Sequence, residues 1–134
     1  MSLNLELLAL AEKVALSAGE LLLDRPNKFE FDEKSGALDF ATQKDHQSEA
    51  LIVSQILNQR PLDGLIGEEG ANKESESGIT WVIDPIDGTV NYLYDLPGWC
   101  ISIAAKNKEE FIAGVVYSPT TNSLWKASKS NGAF

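Results

Sequence analysis

Residues 80–89 read Thr80-Trp81-Val82-Ile83-Asp84-Pro85-Ile86-Asp87-Gly88-Thr89, and the character of the chain changes around them. An apolar, β-rich run ends on a carboxylate. Proline then sets the backbone φ, a second carboxylate follows, and glycine offers a turn. Upstream of this stretch, apolar residues recur at helical spacing. Downstream, they fall into short runs joined by hairpin-length connections.

Working upstream, Leu3, Leu7, Leu10, Ala11, Val14, Ala18, Leu21 and Leu22 stand three and four residues apart, which predicts an amphipathic helix of about 20 residues. Asp24-Arg25-Pro26-Asn27 ends it, because proline cannot continue the helical ladder. A second helix is predicted from near Asp45 to Asn58, with Ala50, Ile52, Val53, Ile56 and Leu57 as its apolar residues. Thr42-Gln43-Lys44-Asp45 reads as its capping box. Pro61, Asp63 and Gly64 then break the chain, and Asp63-Gly64 is read as a turn dipeptide. Leu65-Ile66-Gly67 is a short strand, and residues 70–79 form a polar loop in which Glu74 and Glu76 are solvated.

Working downstream, three more strands are predicted at Ile101–Lys106, Phe111–Tyr117 and Ser123–Ser128. Their connections, Asn107-Lys108-Glu109-Glu110 and Ser118-Pro119-Thr120-Thr121-Asn122, are short enough for hairpins. Helices followed by a meander predict an α+β layered architecture, not a βαβ array. No internal repeat and no linker divides the chain.

Composition narrows the chemistry. The 134 residues carry 11 Lys+Arg against 20 Asp+Glu, a net charge of -9, one Cys and one His. An internal disulfide, four-Cys or Cys/His zinc sites and multi-histidine sites are excluded by count. The acidic balance argues against nonspecific binding to nucleic acid, which needs a basic footprint. Oxygen ligands and hard cations remain. Residues 1–23 lack a basic start and are interrupted by Glu6, Glu12, Lys13 and Glu20, so neither a signal peptide nor a membrane span is expected, and the expected location is cytoplasmic. Cys100 is expected to be a small buried hydrophobe, Trp81 and Trp125 to belong to the core, and His46 to be an exposed helical residue.

Two segments concentrate the polar chemistry: Gly67-Glu68-Glu69-Gly70 and Asp84-Pro85-Ile86-Asp87-Gly88-Thr89. Each follows a short apolar strand, where a loop presents side chains from a rigid base. Asp84 and Asp87 can face one another, with the Ile86 carbonyl between them, and Glu68 adds a third carboxylate. Two such charges about 4 Å apart repel by roughly 4 kcal/mol at an effective dielectric near 20, which metal ions or protonation would relieve. A short helical turn, Val90-Asn91-Tyr92-Leu93-Tyr94, would leave the N–H groups of Gly88 and Thr89 outward as a phosphate seat. Metals beside a phosphate seat point to metal-assisted phosphoryl transfer to water. Taken singly, each motif also has a plain structural reading: Asp87-Gly88 as a turn, Glu68-Glu69 as a solvated pair, Asp45 as a helix start.

Taken together, Gly67-Glu68-Glu69 and the hexapeptide after an apolar strand resemble the inositol monophosphatase family of lithium-sensitive, magnesium-dependent phosphomonoesterases. The resemblance extends over the chain, from the long first helix through Thr42-x-x-Asp45 to the hairpin ending Gly132-Ala133-Phe134. It implies the sugar-phosphatase type of layered α/β sandwich, with two N-terminal helices packed on a mainly antiparallel sheet. Residues 1–134 would be the N-terminal portion of that domain, with its C-terminal half absent.

The same resemblance assigns roles. Glu68 and Asp84, with the Ile86 carbonyl, would hold a first Mg2+. Asp84 would bridge to a second, also bound by Asp87, within a set of two to three ions. Ile86, Asp87, Gly88 and Thr89 would line the phosphate, seated by the N–H groups of Gly88 and Thr89 and the threonine hydroxyl. The nucleophile would be water, its proton drawn off through Thr89 and Asp45 with Glu68 close by. Lys34 matches a lysine near the phosphate and the third metal position, and its alternative reading is a solvated loop lysine. Lys44 departs from the family's small or hydroxyl residue before Asp45 and would pair with Asp45 or compete with a metal. Asp95 stands where relatives have glycine or a basic residue.

A further metal-binding aspartate and most contacts to the substrate alcohol come from the second half of such proteins. The intact protein is therefore expected to be active and this piece to bind the second metal poorly. The expected partner is a small phosphorylated substrate, with a homodimer by analogy. Histidinol-phosphate, fructose-bisphosphate and nucleotide 3′-phosphatases share the metal core and remain alternatives, as does a non-catalytic metal-binding or interaction fragment.

Overall fold

The computed structural model describes residues 2–24 and 35–133, with the side chains of 35–40 left out of the account. Helix α1 spans Leu3–Leu23, and α2 spans Ser35–Gln59. Strands β1 (Gly64–Gly67), β2 (Asn72–Lys73) and β3 (Thr80–Asp87) follow. A short helix α3 (Thr89–Leu93) then leads to β4 (Cys100–Lys106), β5 (Phe111–Ser118), β6 (Ser123–Ser128) and β7 (Gly132–Ala133).

Ser2 caps α1 by accepting the Leu5 N–H at 3.3 Å, satisfying one of the donors every helix start leaves free. The predicted stripe is buried: Leu7, Ala11, Val14, Ala18 and Leu22 are all fully covered. The expected helix end at Pro26 falls just outside the described residues, and α1 closes at Leu23.

Helix α2 does not start near Asp45 as expected but at Ser35. Thr42 and Asp45 therefore lie inside the helix and cap nothing. Residues 37–59 contain no proline or glycine, and once a helix is nucleated each further residue adds a hydrogen bond at little cost. The capping-box pattern was a local signal overridden by helical continuity.

The strands form one mixed, mostly antiparallel open sheet in the order β2-β1-β3-β4-β5-β6-β7, with β1 parallel to β3 and every other pair antiparallel. Helix α1 lies over β4, β5 and β6, while α2 packs on α1 and β3. Trp81, Ile83, Ile101, Ile103, Ala105 and Val115 fill the space between sheet and helices. This is the expected α+β layering of two helices on a mainly antiparallel sheet.

Alternation along the strands puts the other set of side chains on the face without helices. Trp125 pairs with Val116 in register there and is 55% exposed, so it is not the core residue expected. A period of two identifies two faces but not which one the helices cover. The expected loop 70–79 contains the short strand β2.

Asp63 is more than the turn residue expected. It is 1% exposed and accepts hydrogen bonds from the Arg60 guanidinium, the Ser77 hydroxyl at 2.6 Å and the Trp81 indole N–H at 2.8 Å. These bonds tie the end of α2 to β3.

Candidate active site

The site is built where α2 passes the ends of β1 and β3. Between Asp84↔Ser102 and Asp87↔Cys100 the register shifts, so three steps along β3 oppose two along β4. The extra residue is a β-bulge at Pro85-Ile86, a place where proline's missing N–H does no harm to the ladder. In a regular strand, residues three apart point to opposite faces. The bulge reverses that phase, so Asp84 and Asp87 come to the same side and act on one another electrostatically. Ser48 of α2 donates to the Pro85 carbonyl at 3.1 Å and holds the bulge to the helix.

The chain turns immediately after Asp87. Gly88 has φ +88° and starts α3, and the Thr89 hydroxyl donates to the Ile86 carbonyl at 3.2 Å. A side chain at Gly88 would meet the Gly98 carbonyl oxygen at 2.6 Å, so only glycine suits this turn. At the base of the turn, buried Tyr92 donates to the Leu22 carbonyl at 2.9 Å and stacks edge-on against Trp99.

The carboxylates from three elements share one region. Burial raises the Asp45 carboxyl to about 7, helped by the charges of Glu69, Asp84 and Glu68 and opposed by His46. Burial also raises Asp84 to about 6, helped by Glu68, Asp87 and Glu69, while a backbone hydrogen bond at Ile86 lowers it. Asp45, Glu68, Asp84 and Asp87 are thus electrostatically coupled, as is Glu69, which the sequence reading left out of the site. Among the described residues, no three His, Cys, Asp or Glu side chains form a ready-made coordination shell.

Several neighbours escape sequence reasoning. Glu49 is 5% exposed and accepts the N–H groups of Glu69 at 3.0 Å and Ala71 at 3.1 Å. Ser48 is fully buried. The available signal was their spacing: Asp45, Ser48, Glu49 and Ile52 share one face of α2. His46 is exposed, as expected, with Nε2 3.9 Å from Glu69.

Cys100 departs from the expected buried hydrophobe. It is half-buried at the rim of the site, with Sγ 3.9 Å from Asp87 Oδ2. Burial and the charges of Asp87 and Asp84 push its thiol up, so it stays protonated. Lys44, which could pair with Asp45 or compete with a metal, also reaches the end of α1. Its Nζ donates to the carbonyls of Leu21 at 3.3 Å and Asp24 at 2.9 Å, at the negative end of α1. The expected Lys34 position lies outside the described residues. Asp95 adopts φ +58°, the left-handed conformation that glycine takes without strain.

A family model described as the inositol monophosphatase family matches residues 3–134. The chain is 36% identical over 100 residues to an inositol-1-monophosphatase of Rhizobium meliloti, covering 74% of this chain and 38% of that protein. It is 39% identical over 123 residues to the Nus factor SuhB of Xylella fastidiosa, covering 90% of this chain and 44% of that one. Among solved structures, the extragenic suppressor protein suhB of Bartonella henselae superposes with a TM-score of 0.80 at 30% identity, covering 94% of this chain and 49% of that chain. The chain thus spans less than half the length of the curated relatives it matches.

Proposed function

The chain belongs to the inositol monophosphatase family, and from that premise we propose that it forms part of a magnesium-dependent phosphomonoesterase acting on small phosphate esters of the inositol monophosphate class. The observation that carries this reading is the register shift that brings Asp84 and Asp87 to one side of β3 beside the buried Asp45 of α2, where burial first and the neighbouring carboxylates second raise Asp45 and Asp84. An all-oxygen donor set with unrelieved repulsion fits a hard dication.

Glu68, Asp84, Asp87 and the Ile86 carbonyl would hold the Mg2+ ions. The carbonyl accepts one bond from Thr89 and keeps a second lone pair. Bound there, magnesium supplies Lewis acidity toward a phosphoryl oxygen and makes nearby water more acidic. The chain's own residues do the rest. The N–H groups of Gly88 and Thr89, at the unpaired start of α3, orient the phosphate, and Lys34 completes its charge neutralisation. Asp45 takes up the proton that leaves water, relayed by the Thr89 hydroxyl. Asp45 is buried, and its carboxylate feels the charges of Glu68 and Asp84 in the same region. Cys100, held protonated beside Asp87, takes no nucleophilic part.

Lithium sensitivity, a cytoplasmic location and a homodimer belong to the same proposal. No described helix is long and apolar enough to cross a membrane. The test is release of inorganic phosphate from inositol 1-phosphate, histidinol phosphate, fructose 1,6-bisphosphate and a nucleotide 3′-phosphate, with magnesium and with chelator. It is run on the chain and on any longer protein that carries it. Turnover that needs magnesium and prefers inositol phosphate supports the reading. A relative named as a Nus factor favours a second reading, a partner-binding module. Magnesium binding without turnover on any ester would select that one.

A further inference from the structure

Glu68 is exposed, and no hydrogen bond from its side chain to the described residues fixes its position. What holds it is its own turn. The Gly67 N–H donates to the Ala71 carbonyl at 2.8 Å, closing the loop Gly67-Glu68-Glu69-Gly70-Ala71. From outside that loop, the buried carboxylate of Glu49 grips it at two points: Oε1 accepts the Glu69 N–H at 3.0 Å, and Oε2 accepts the Ala71 N–H at 3.1 Å. The helix carboxylate lies so close to β1 that a Cβ on Gly67 would collide with it. Glycine at 67 is therefore the partner of glutamate at 49, on a separate element.

We propose that Glu49 is a positioning residue: it holds the turn so that Glu68 is presented to the metal, without touching metal or substrate itself. This rests on the reading of Glu68 as a magnesium ligand. The chemistry selects glutamate. Two backbone donors need two acceptor oxygens, and hydrogen bonds to a charged acceptor are the stronger kind. Glutamine would offer one oxygen and turn an N–H2 toward the other amide. Asp45 is one helical turn earlier on the same face, so the rigid helix that carries Asp45 also sets the position of Glu68. Outer residues that orient ligands typically change metal affinity by 10–100-fold when lost.

The test uses the chain with Glu49→Gln, and with Gly67→Ala as an independent variant that leaves Glu49 in place but displaces it. Magnesium affinity is read by calorimetry, thermal stability in chelator, and amide exchange at Glu69 and Ala71 by NMR. Both variants should weaken magnesium binding about tenfold and accelerate exchange at those two amides. A remote core variant, Ile112→Val, should lower thermal stability and leave magnesium affinity unchanged. If Glu49→Gln or Gly67→Ala binds magnesium within twofold of the unaltered chain, the inference is overturned. If Glu49→Gln does not fold, Gly67→Ala decides. Protected amides in a chain that binds no magnesium in unaltered form would instead sink the metal reading, and the role assigned to Glu49 with it.

Discussion

Ser48 donates its hydroxyl to the carbonyl of Pro85 across 3.1 Å, and both residues are hidden from solvent. This single bond links the middle of α2 to the bulge that brings Asp84 and Asp87 together.

Replacing Ser48 with alanine strands the Pro85 carbonyl in a buried place. An orphaned buried acceptor costs about 1–3 kcal/mol. Ser48→Ala should lower the urea midpoint by a corresponding amount, with unchanged denaturant dependence. An unchanged midpoint would show that the bulge is held by other contacts.

The raised Asp45 pKa makes a signed prediction about pH. Its folded value of about 7 lies above the ordinary aspartate value of 3.8, so the folded state binds an extra proton between those limits. Stability attributable to Asp45 is therefore greatest at low pH and is lost as pH rises from about 4 to 7. Asp84, raised to about 6, acts with the same sign over a narrower window. In chelator at pH 8, Asp45→Asn should be more stable than the unaltered chain by about 1–2 kcal/mol, because the buried carboxylate must otherwise ionise in place. At pH 4 the difference should vanish. Denaturation curves of the two proteins across pH check this, and a gap that widens toward low pH would contradict it.

Gly88 cannot be replaced cheaply. Its φ of +88° disfavours any side chain, and the Gly98 carbonyl oxygen stands 2.6 Å from where a Cβ would go. Gly88→Ala should destabilise by about 3 kcal/mol or more, the sum of left-handed strain and overpacking. Calorimetric melting measures it, and a change under 1 kcal/mol would count against the observed turn.

Asp95 is the opposite case. With φ +58°, just past the end of α3, it occupies a helix-ending position that favours glycine. Asp95→Gly should gain about 0.5–1 kcal/mol and leave magnesium affinity unchanged. A loss of stability would show that the carboxylate has a structural role.

Local signals made much of this legible from sequence. Pro85 and Gly88 mark the site because each restricts or frees the backbone by itself, and β4 follows simple alternation. Three things were not legible. The start of α2 was masked by a capping-box pattern at Thr42–Asp45 that continuing helix overrides. Trp125 depends on which face of the sheet the helices cover. Glu49, Ser48 and Asp63 act through hydrogen bonds to residues distant in sequence, and only the fold brings donor and acceptor together. The bulge belongs to the same class, since its register is defined by β4.

In the proposed reading, Glu68, Asp84 and Asp87 hold magnesium. The most direct test is calorimetric titration of Mg2+ into the chain and into its Asp84→Asn variant at pH 7.5, alongside melting curves in chelator. The account predicts saturable binding by the unaltered chain, at least tenfold weaker binding by Asp84→Asn, and a variant no less stable than its parent without metal, because a source of repulsion has gone. Equal magnesium affinity in the two proteins would contradict it.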